Sequence, residues 1–354
     1  MQLPLNDIVQ YFLPLQKITA TTIHNGLINK TFKIEGEHSS EAFILQQINT
    51  NIFTRPQLLQ QNYRYIANQL LKSHSRFQVP AMVALLRGGD YLDAGKNGCW
   101  RMFTYIQHSY TPAQVNTAEQ SYEVAVSFSR LTLDLADAAT NKVQQVIPHF
   151  HDIAFRHQQL IQAIQQNNAG RVINAKKITA ALESYQPLLS FYNKLIANNK
   201  KFRQYIQHHD AKISNILFDE RTNEVITPID LDTTMPGYFF SDAGDMIRTI
   251  ATSTDENNKQ YDEISIRPHH YQAIADGYLS NMGNVFTLEE QQYFHLSGLL
   301  LTYMQCLRFI TDYINGDVYY TTSHAEQNLE RACNQMALLK ALESFVADKY
   351  RITI

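Results

Sequence analysis

The chain has 354 residues, 44% hydrophobic and 18% charged, with a formal net charge of −3. That length exceeds most single hydrophobic cores and implies two domains or lobes. The slight negative charge leaves no basic field for nucleic acid, but a nucleotide stays open, because a divalent cation can neutralise its phosphates locally. Three cysteines, Cys99, Cys306 and Cys333, stand at no metal or disulfide spacing, which fits a reducing cytoplasm. The start, Met-Gln-Leu-Pro-Leu-Asn-Asp, has no basic region followed by an apolar run, so no secretory signal is expected. The most apolar stretch, 295–310, carries His295 and Arg308 and is too short to span a bilayer. It reads as a buried helix, and no membrane partner is expected.

In chain order, residues 6–12 read as a short helix stopped by Pro14. Residues 17–24 are rich in Thr and Ile, Asn25-Gly26 is a turn signal, and 31–35 alternates, so two hairpin strands are predicted. Residues 42–48 form a third strand. Pro56 suits the first turn of a helix, which the apolar positions Leu59, Tyr63, Ile66 and Leu70 carry across 58–71. Strands at 81–86 and 99–106, separated by the turn Arg87-Gly88-Gly89-Asp90, complete a meander. Helical spacing then dominates: 119–138, 152–166, 173–197, 242–253, 269–282, 288–314 and 322–350. Asn-rich pieces at 165–170 and 198–201 are the loops between. The polar residues and proline of 107–112 place a boundary there. This predicts an N-terminal nucleotide-binding lobe over 1–107 and a C-terminal catalytic and substrate-binding lobe over 108–354.

One stretch breaks the helical run. It reads His208-His209-Asp210-Ala211-Lys212-Ile213-Ser214-Asn215, and two apolar runs, 216–218 and 225–229, flank the polar segment 219–224. The runs predict a hairpin that returns Asp230 beside Asn215. Asp210 and Asn215 have the spacing of the catalytic Asp and Asn in H-R-D-L-x-x-x-N. The set is one carboxylate able to take a proton, and an amide and a carboxylate able to hold Mg²⁺. Phosphoryl transfer needs these parts, since its catalysis is mostly positioning and charge neutralisation. His-x-Asp alone is common, and an Asp before a strand is often a turn residue. The signal is the whole series: His-x-Asp, Asn, hairpin, Asp.

Other positions carry two readings each. Asn25, Gly26 and Asn29 sit in the first strand turn, which either covers phosphates or is a plain hairpin. No G-x-x-x-x-G-K-[ST] occurs, so P-loop kinases are excluded. Gln46 occupies the strand where protein kinases carry the ATP-binding Lys; it faces the nucleotide but brings no charge. The next helix offers Gln60, Gln61 and Asn62 rather than a Glu, and Lys30 and Lys33 are the nearby cations. Residues 102–106, with Phe103 and Tyr105, form either an adenine-receiving connector or an ordinary edge strand. His149, His151 and His157 lack a fourth ligand for a metal. Arg156 points toward a substrate or is structural. Asp242 caps the next helix or supports the site. Arg248 pairs with Asp245 or with a catalytic carboxylate. Arg308, in an apolar helix, needs a buried acceptor, either structural or a substrate hydroxyl.

With these segments in hand, the chain resembles the aminoglycoside phosphotransferase and choline kinase superfamily, and within it the N-acetylhexosamine 1-kinases. The likeness rests on Asn25-Gly26-Leu27-Ile28-Asn29, on Leu45-Gln46-Gln47-Ile48, on the stretch from His208 to Phe218, on Asp230-Leu231-Asp232, on Asp242-Ala243-Gly244-Asp245-Met246-Ile247-Arg248 and on Leu307-Arg308-Phe309. It implies an α+β, protein kinase-like, two-lobed fold with a small antiparallel N-terminal sheet and a mostly helical C-lobe. It also implies Asp210 as base, Asn215 and Asp230 as Mg²⁺ ligands, and Asp232 as a residue of the site wall; Asp232, Asp245 and Arg308 are expected toward the substrate. Asn25, Gly26, Asn29, Gln46, Phe103 and Tyr105 would lie toward ATP. The implied reaction is ATP-dependent phosphorylation of a sugar such as N-acetylglucosamine or N-acetylgalactosamine at its anomeric hydroxyl, in cytoplasmic carbohydrate metabolism. His209 departs from the family's usual Gly. Two rival readings stand: a kinase of the same fold acting on an amino alcohol, homoserine or aminoglycoside, and a nucleotide-binding protein without transfer.

Overall fold

The computed structural model describes residues 3–14, 17–23, 28–37 and 41–353. The chain divides into two compact units. Unit 1 comprises 1–113 together with 137–148 and 214–235; unit 2 comprises 114–136, 149–213 and 236–354. The hairpin that follows Asn215 thus packs with the first unit, although the linear boundary assigns it to the second lobe.

Unit 1 starts with helix α1 (Leu5–Val9) and an antiparallel sheet. Its strands β1 (Ile18–Ile23), β2 (Lys30–Gly36), β3 (Ala42–Ile48) and β6 (Cys99–Thr104) are neighbours in that order, followed by β4 (Met82–Val83). The two-residue strand β5 (Leu92–Asp93), which sequence patterning does not reveal, also pairs with β6. Alternation puts Ile34, Phe43, Leu45, Trp100 and Met102 on one face, where Ile8, Val9 and Phe12 of the N-terminal segment cover them. Helix α2 (Pro56–Lys72) opens with its proline in the first turn and packs Tyr63 against Phe103 with the rings tilted and 4.8 Å between their centres. A second sheet holds β7 (Ser109–Tyr110), β9 (Ile216–Asp219) and β10 (Val225–Pro228), with β9 and β10 the expected antiparallel hairpin.

Unit 2 is helical: α3 (Ala118–Asp134), α4 (Ile153–Gln166), α5 (Val172–Glu183), α6 (Gln186–Ile196), α7 (Phe240–Ile250), α8 (Pro268–Met282), α9 (Leu288–Gln292), α10 (Ser297–Asn315) and α11 (Gln327–Tyr350). The short strands β8 (Tyr205–Gln207) and β11 (Met235–Gly237) precede α7. Helix α10 is buried almost throughout and packs against α4, α7 and α11. Small residues allow the close approach: a Cβ on Gly244 would meet the carbonyl oxygen of Ser297, and one on Gly298 would meet Ile247.

Two predicted helices are broken in the structure. The helix expected over 173–197 is two, because Pro187 is tolerated only in a first turn and forces a restart at Gln186. The helix expected over 288–314 stops at Gln292. Glu290 completes a capping box with Thr287 and also accepts from the Arg203 backbone N–H at 2.6 Å and the Tyr205 hydroxyl at 2.7 Å. Those tertiary bonds fix α9 separately, and one 3₁₀ turn leads into α10.

Candidate active site

In unit 1 a cavity of about 270 Å³ is lined by Gln46, Arg101 and Phe103 of the first sheet, by Tyr105 just past it, and by Asn215 before the hairpin and Asp230 and Asp232 after it. The hairpin register sets Pro228 opposite Ile216, and the Ile229 N–H donates to the Asn215 carbonyl at 2.9 Å. A local pairing thus brings Asn215 and Asp230 to one cavity wall, as the spacing predicts. Both offer hard oxygen donors, the chemistry Mg²⁺ prefers. Among the described residues no group of three or more His, Cys, Asp or Glu forms a closed cage. Two such donors at a cavity wall would fit a metal whose remaining ligands are phosphates and water.

Asn25 and Gly26 lie outside the described residues. Asn29 donates to Asp232 Oδ2 at 3.0 Å and accepts from the Asn49 N–H at 3.0 Å. Gln46 lines the cavity, yet its carbonyl oxygen accepts from Arg101 Nε at 3.0 Å and its amide donates to Thr31 Oγ1 at 3.2 Å. Asp232 accepts both Arg101 Nη1 at 2.7 Å and Nη2 at 2.6 Å. Its carboxylate is therefore engaged within unit 1. Lys33 pairs with Glu35 at 3.0 Å and lies over the Tyr105 ring at 4.6 Å, and Lys30 is exposed. Among the described residues that line the cavity the cation is Arg101, which sequence reading passed over. Its only signal is a charge in the middle of the apolar run Cys-Trp-Arg-Met-Phe.

In unit 2 the segment carrying Asp210 is held by α7. Asp242 accepts the backbone N–H groups of His208 at 2.9 Å and His209 at 2.7 Å, so it anchors this segment rather than capping its helix. Burial pushes the Asp242 carboxyl up to about 6, opposed by His208 and by those two N–H groups. Lys212 Nζ stands 2.9 Å from Asp210 Oδ2. Asp245 accepts Arg248 Nε at 3.0 Å and Nη2 at 2.8 Å, and Arg248 also reaches Glu256 at 3.1 Å. Burial raises the Asp245 carboxyl; Arg248 opposes this and the charge of Asp210 adds to it.

Beside them lies an arginine and aromatic wall. The Arg308 guanidinium is 5.2 to 5.4 Å from the ring centres of Phe150, Tyr319 and Tyr320, and Nη1 donates to Gln305 at 3.1 Å. Arg156 donates to Gln159 at 2.9 Å and to the Phe150 carbonyl at 3.3 Å. Burial, reinforced by Arg308, lowers Arg156 to about 10. Neither arginine is ion-paired to a carboxylate among the described residues. Asp312 accepts the N–H groups of Val318, Tyr319 and Tyr320 at 3.0, 2.8 and 2.9 Å and so shapes the loop that presents both tyrosines. His149 contacts Asp152, and His151 lies against His209 with ring centres 4.8 Å apart.

Residues 19–278 match the model of a family described as the phosphotransferase enzyme family. The chain belongs to that family. Among solved structures, this phosphotransferase is similar to a spectinomycin phosphotransferase crystallised with ADP and spectinomycin (14% identity, TM-score 0.59, 96% of this chain and 97% of that one). An aminoglycoside phosphotransferase from Alicyclobacillus acidocaldarius subsp. acidocaldarius superposes with a TM-score of 0.62 at 12% identity, over 98% and 97% of the two chains. A choline kinase from Cryptosporidium parvum Iowa II does so with 0.55 at 14%, over 98% and 96%. At these identities the likeness is one of fold. It is the α+β, protein kinase-like architecture the sequence implies, with its antiparallel sheet in the N-terminal region and helices in the C-terminal region. No helix among the described residues is long and apolar enough to cross a membrane.

Proposed function

We propose that this phosphotransferase moves the γ-phosphoryl group of ATP to the anomeric hydroxyl of an N-acetylhexosamine. The observation that carries the acceptor reading is the state of the charges in unit 2. Asp242 is taken up by two backbone N–H groups, Asp312 by three, and Asp245 by Arg248, while among the described residues Arg156 and Arg308 have no carboxylate partner and sit among aromatic rings. Aromatic faces and guanidinium donors suit a neutral, oxygen-rich sugar ring; an ammonium group would meet two arginines.

Asp210 is the proposed base. As the sugar oxygen bonds to the γ-phosphorus and the bond to the β-phosphate oxygen breaks, Asp210 takes the hydroxyl proton and ADP leaves. An anomeric hydroxyl is more acidic than an ordinary alcohol, so modest base assistance suffices. Asn215 and Asp230 would hold Mg²⁺, which neutralises phosphate charge when bound. Phe103 and Tyr105, on the cavity wall in unit 1, are proposed for the nucleotide base.

The deciding assay compares N-acetylglucosamine with its 1-O-methyl glycoside, which lacks a free anomeric hydroxyl, and with choline, homoserine and an aminoglycoside. Turnover of the free sugar alone is expected. Comparable phosphorylation of the methyl glycoside removes the 1-kinase reading. Turnover of an amine-bearing acceptor without the sugar moves the chain to the amino alcohol and aminoglycoside group.

A further inference from the structure

The strand position at which protein kinases keep a lysine holds Gln46, and the following helix holds Gln60 and Asn62 where an acid would be its partner. A buried ion pair is nevertheless present in unit 1, made from other elements. Arg101 reaches from β6, 1% exposed, and grips Asp232 end-on with both terminal nitrogens. Its third donor, Nε, is aimed by Gln46, which stands directly opposite in the β3–β6 register and is itself held by Thr31. Asn29 adds a further bond to Asp232.

Stability alone does not explain this arrangement. Replacing a buried ion pair by apolar residues is often neutral or stabilising, because both charges must be stripped of water. The neighbouring backbone suggests the use. Asp230 has φ +60 and ψ +53, a left-handed conformation that disfavours most residues with a Cβ by roughly 1–2 kcal/mol and that aspartate visits at a smaller cost. Such a residue persists only where its surroundings over-determine it. Here both sides are tied. Ile229 donates to the Asn215 carbonyl on one side, and a single 3₁₀ turn, Leu231–Thr233, leads to the Asp232 held by Arg101 and Asn29 on the other.

We infer that Arg101 is a positioning residue that acts through Asp232 to hold the Asp230 carboxylate in the orientation that accepts the nucleotide-bound metal. The pair also cancels the Asp232 charge, so that Asp232 does not compete with Asp230 for the cation. Gln46 orients the guanidinium and does not itself replace the lysine. The inference rests on the proposed metal role of Asp230.

The test is ADP binding by calorimetry, with and without Mg²⁺, on the whole protein. Wild type, Arg101→Lys and the apolar double variant Arg101→Met/Asp232→Leu are compared. The lysine keeps the charge but not the two-pronged grip, and the double variant removes the pair without stranding a buried charge. In both variants the tightening of ADP binding produced by Mg²⁺ should fall by about 10–100-fold, the usual loss when a group supporting a metal ligand is removed, and by more than metal-free ADP affinity falls. Tightening equal to wild type in either variant overturns the inference. Equal loss with and without metal also overturns it, since that marks a direct phosphate contact or a purely structural role. Should both variants fail to fold, ¹⁵N-arginine-labelled wild type decides: the Arg101 Nε–H signal should shift when Mg²⁺ is added to the ADP complex, and an unmoved signal overturns the inference. A wild type that binds ADP with no response to Mg²⁺ refutes the metal role of Asp230 itself, a result distinct from the variant outcomes.

Discussion

The imidazole of His209 fills the space that a Cβ on Gly237 would need. His209 itself has φ +63, the left-handed region that favours glycine. The histidine is accommodated by a glycine 28 residues later in β11. Its Nδ1 donates to the Gln207 carbonyl at 3.0 Å, because a carbonyl can only accept. Gly237→Ala should therefore destabilise the fold by about 1–3 kcal/mol, the usual range for overpacking. In a His209→Gly background most of that loss should vanish. Denaturant melts of the four proteins of this cycle measure the coupling, and independent effects would show that the two residues do not share this space.

The same histidine predicts an acid limb in stability. Burial lowers the folded pKa of His209 from 6.5 to about 4. The unfolded imidazole gains its proton near pH ~6.5 and the folded one near about 4, so the unfolded state binds more protons in between. The His209 contribution is complete above pH ~6.5, falls through the window, and amounts to about 3 kcal/mol at most. Asp242 has the opposite sign: its carboxyl, raised to about 6 by burial, favours the fold at low pH and loses that contribution as pH rises through about 6. The comparison must therefore be between wild type and His209→Asn. Urea melts from pH 7 to 4 should show the shallower loss in the variant, and parallel curves would exclude His209 as the titrating group.

Asp210→Asn retains size and most hydrogen bonding but removes the proton acceptor. kcat should fall by about 10²–10⁴-fold, with acceptor binding largely kept. Single-turnover kinetics with ATP and N-acetylglucosamine separate chemistry from binding. A variant with wild-type chemistry would displace Asp210 from the role of base.

Asp312 offers a test of the aromatic wall away from the phosphates. Asp312→Ala leaves three backbone N–H groups without their acceptor and removes one of the two bonds of the Asn328 amide, which also donates to Asp317. Each bond to a charged group contributes about 1.5–3 kcal/mol, so the loop carrying Tyr319 and Tyr320 should loosen. Acceptor KM should rise about tenfold, equivalent to ~1.4 kcal/mol of lost binding, while nucleotide KM stays unchanged. Steady-state kinetics with each substrate varied in turn would show this, and an unaltered acceptor KM would remove the loop from acceptor recognition.

The sequence by itself determined what depends on neighbours along the chain. Alternation placed the strands of the first sheet, Pro56 opened α2, and two apolar runs around a polar turn put Asp230 next to Asn215. A hairpin pairs residues that are close in sequence, so its register is written in the local pattern. The tertiary structure decided which buried groups meet across long separations. Arg101 and Asp232 are 131 residues apart, and nothing in the local pattern of either run announces the other. The breaks between α5 and α6 and between α9 and α10 belong to the same class. In both places apolar periodicity continues across the break, while a proline restart in one and the anchored carboxylate of Glu290 in the other redirect the backbone. Apolar burial is non-directional and survives averaging along a segment, so it can be read from sequence. Buried charges demand particular partners at particular distances, and only the packed chain supplies them.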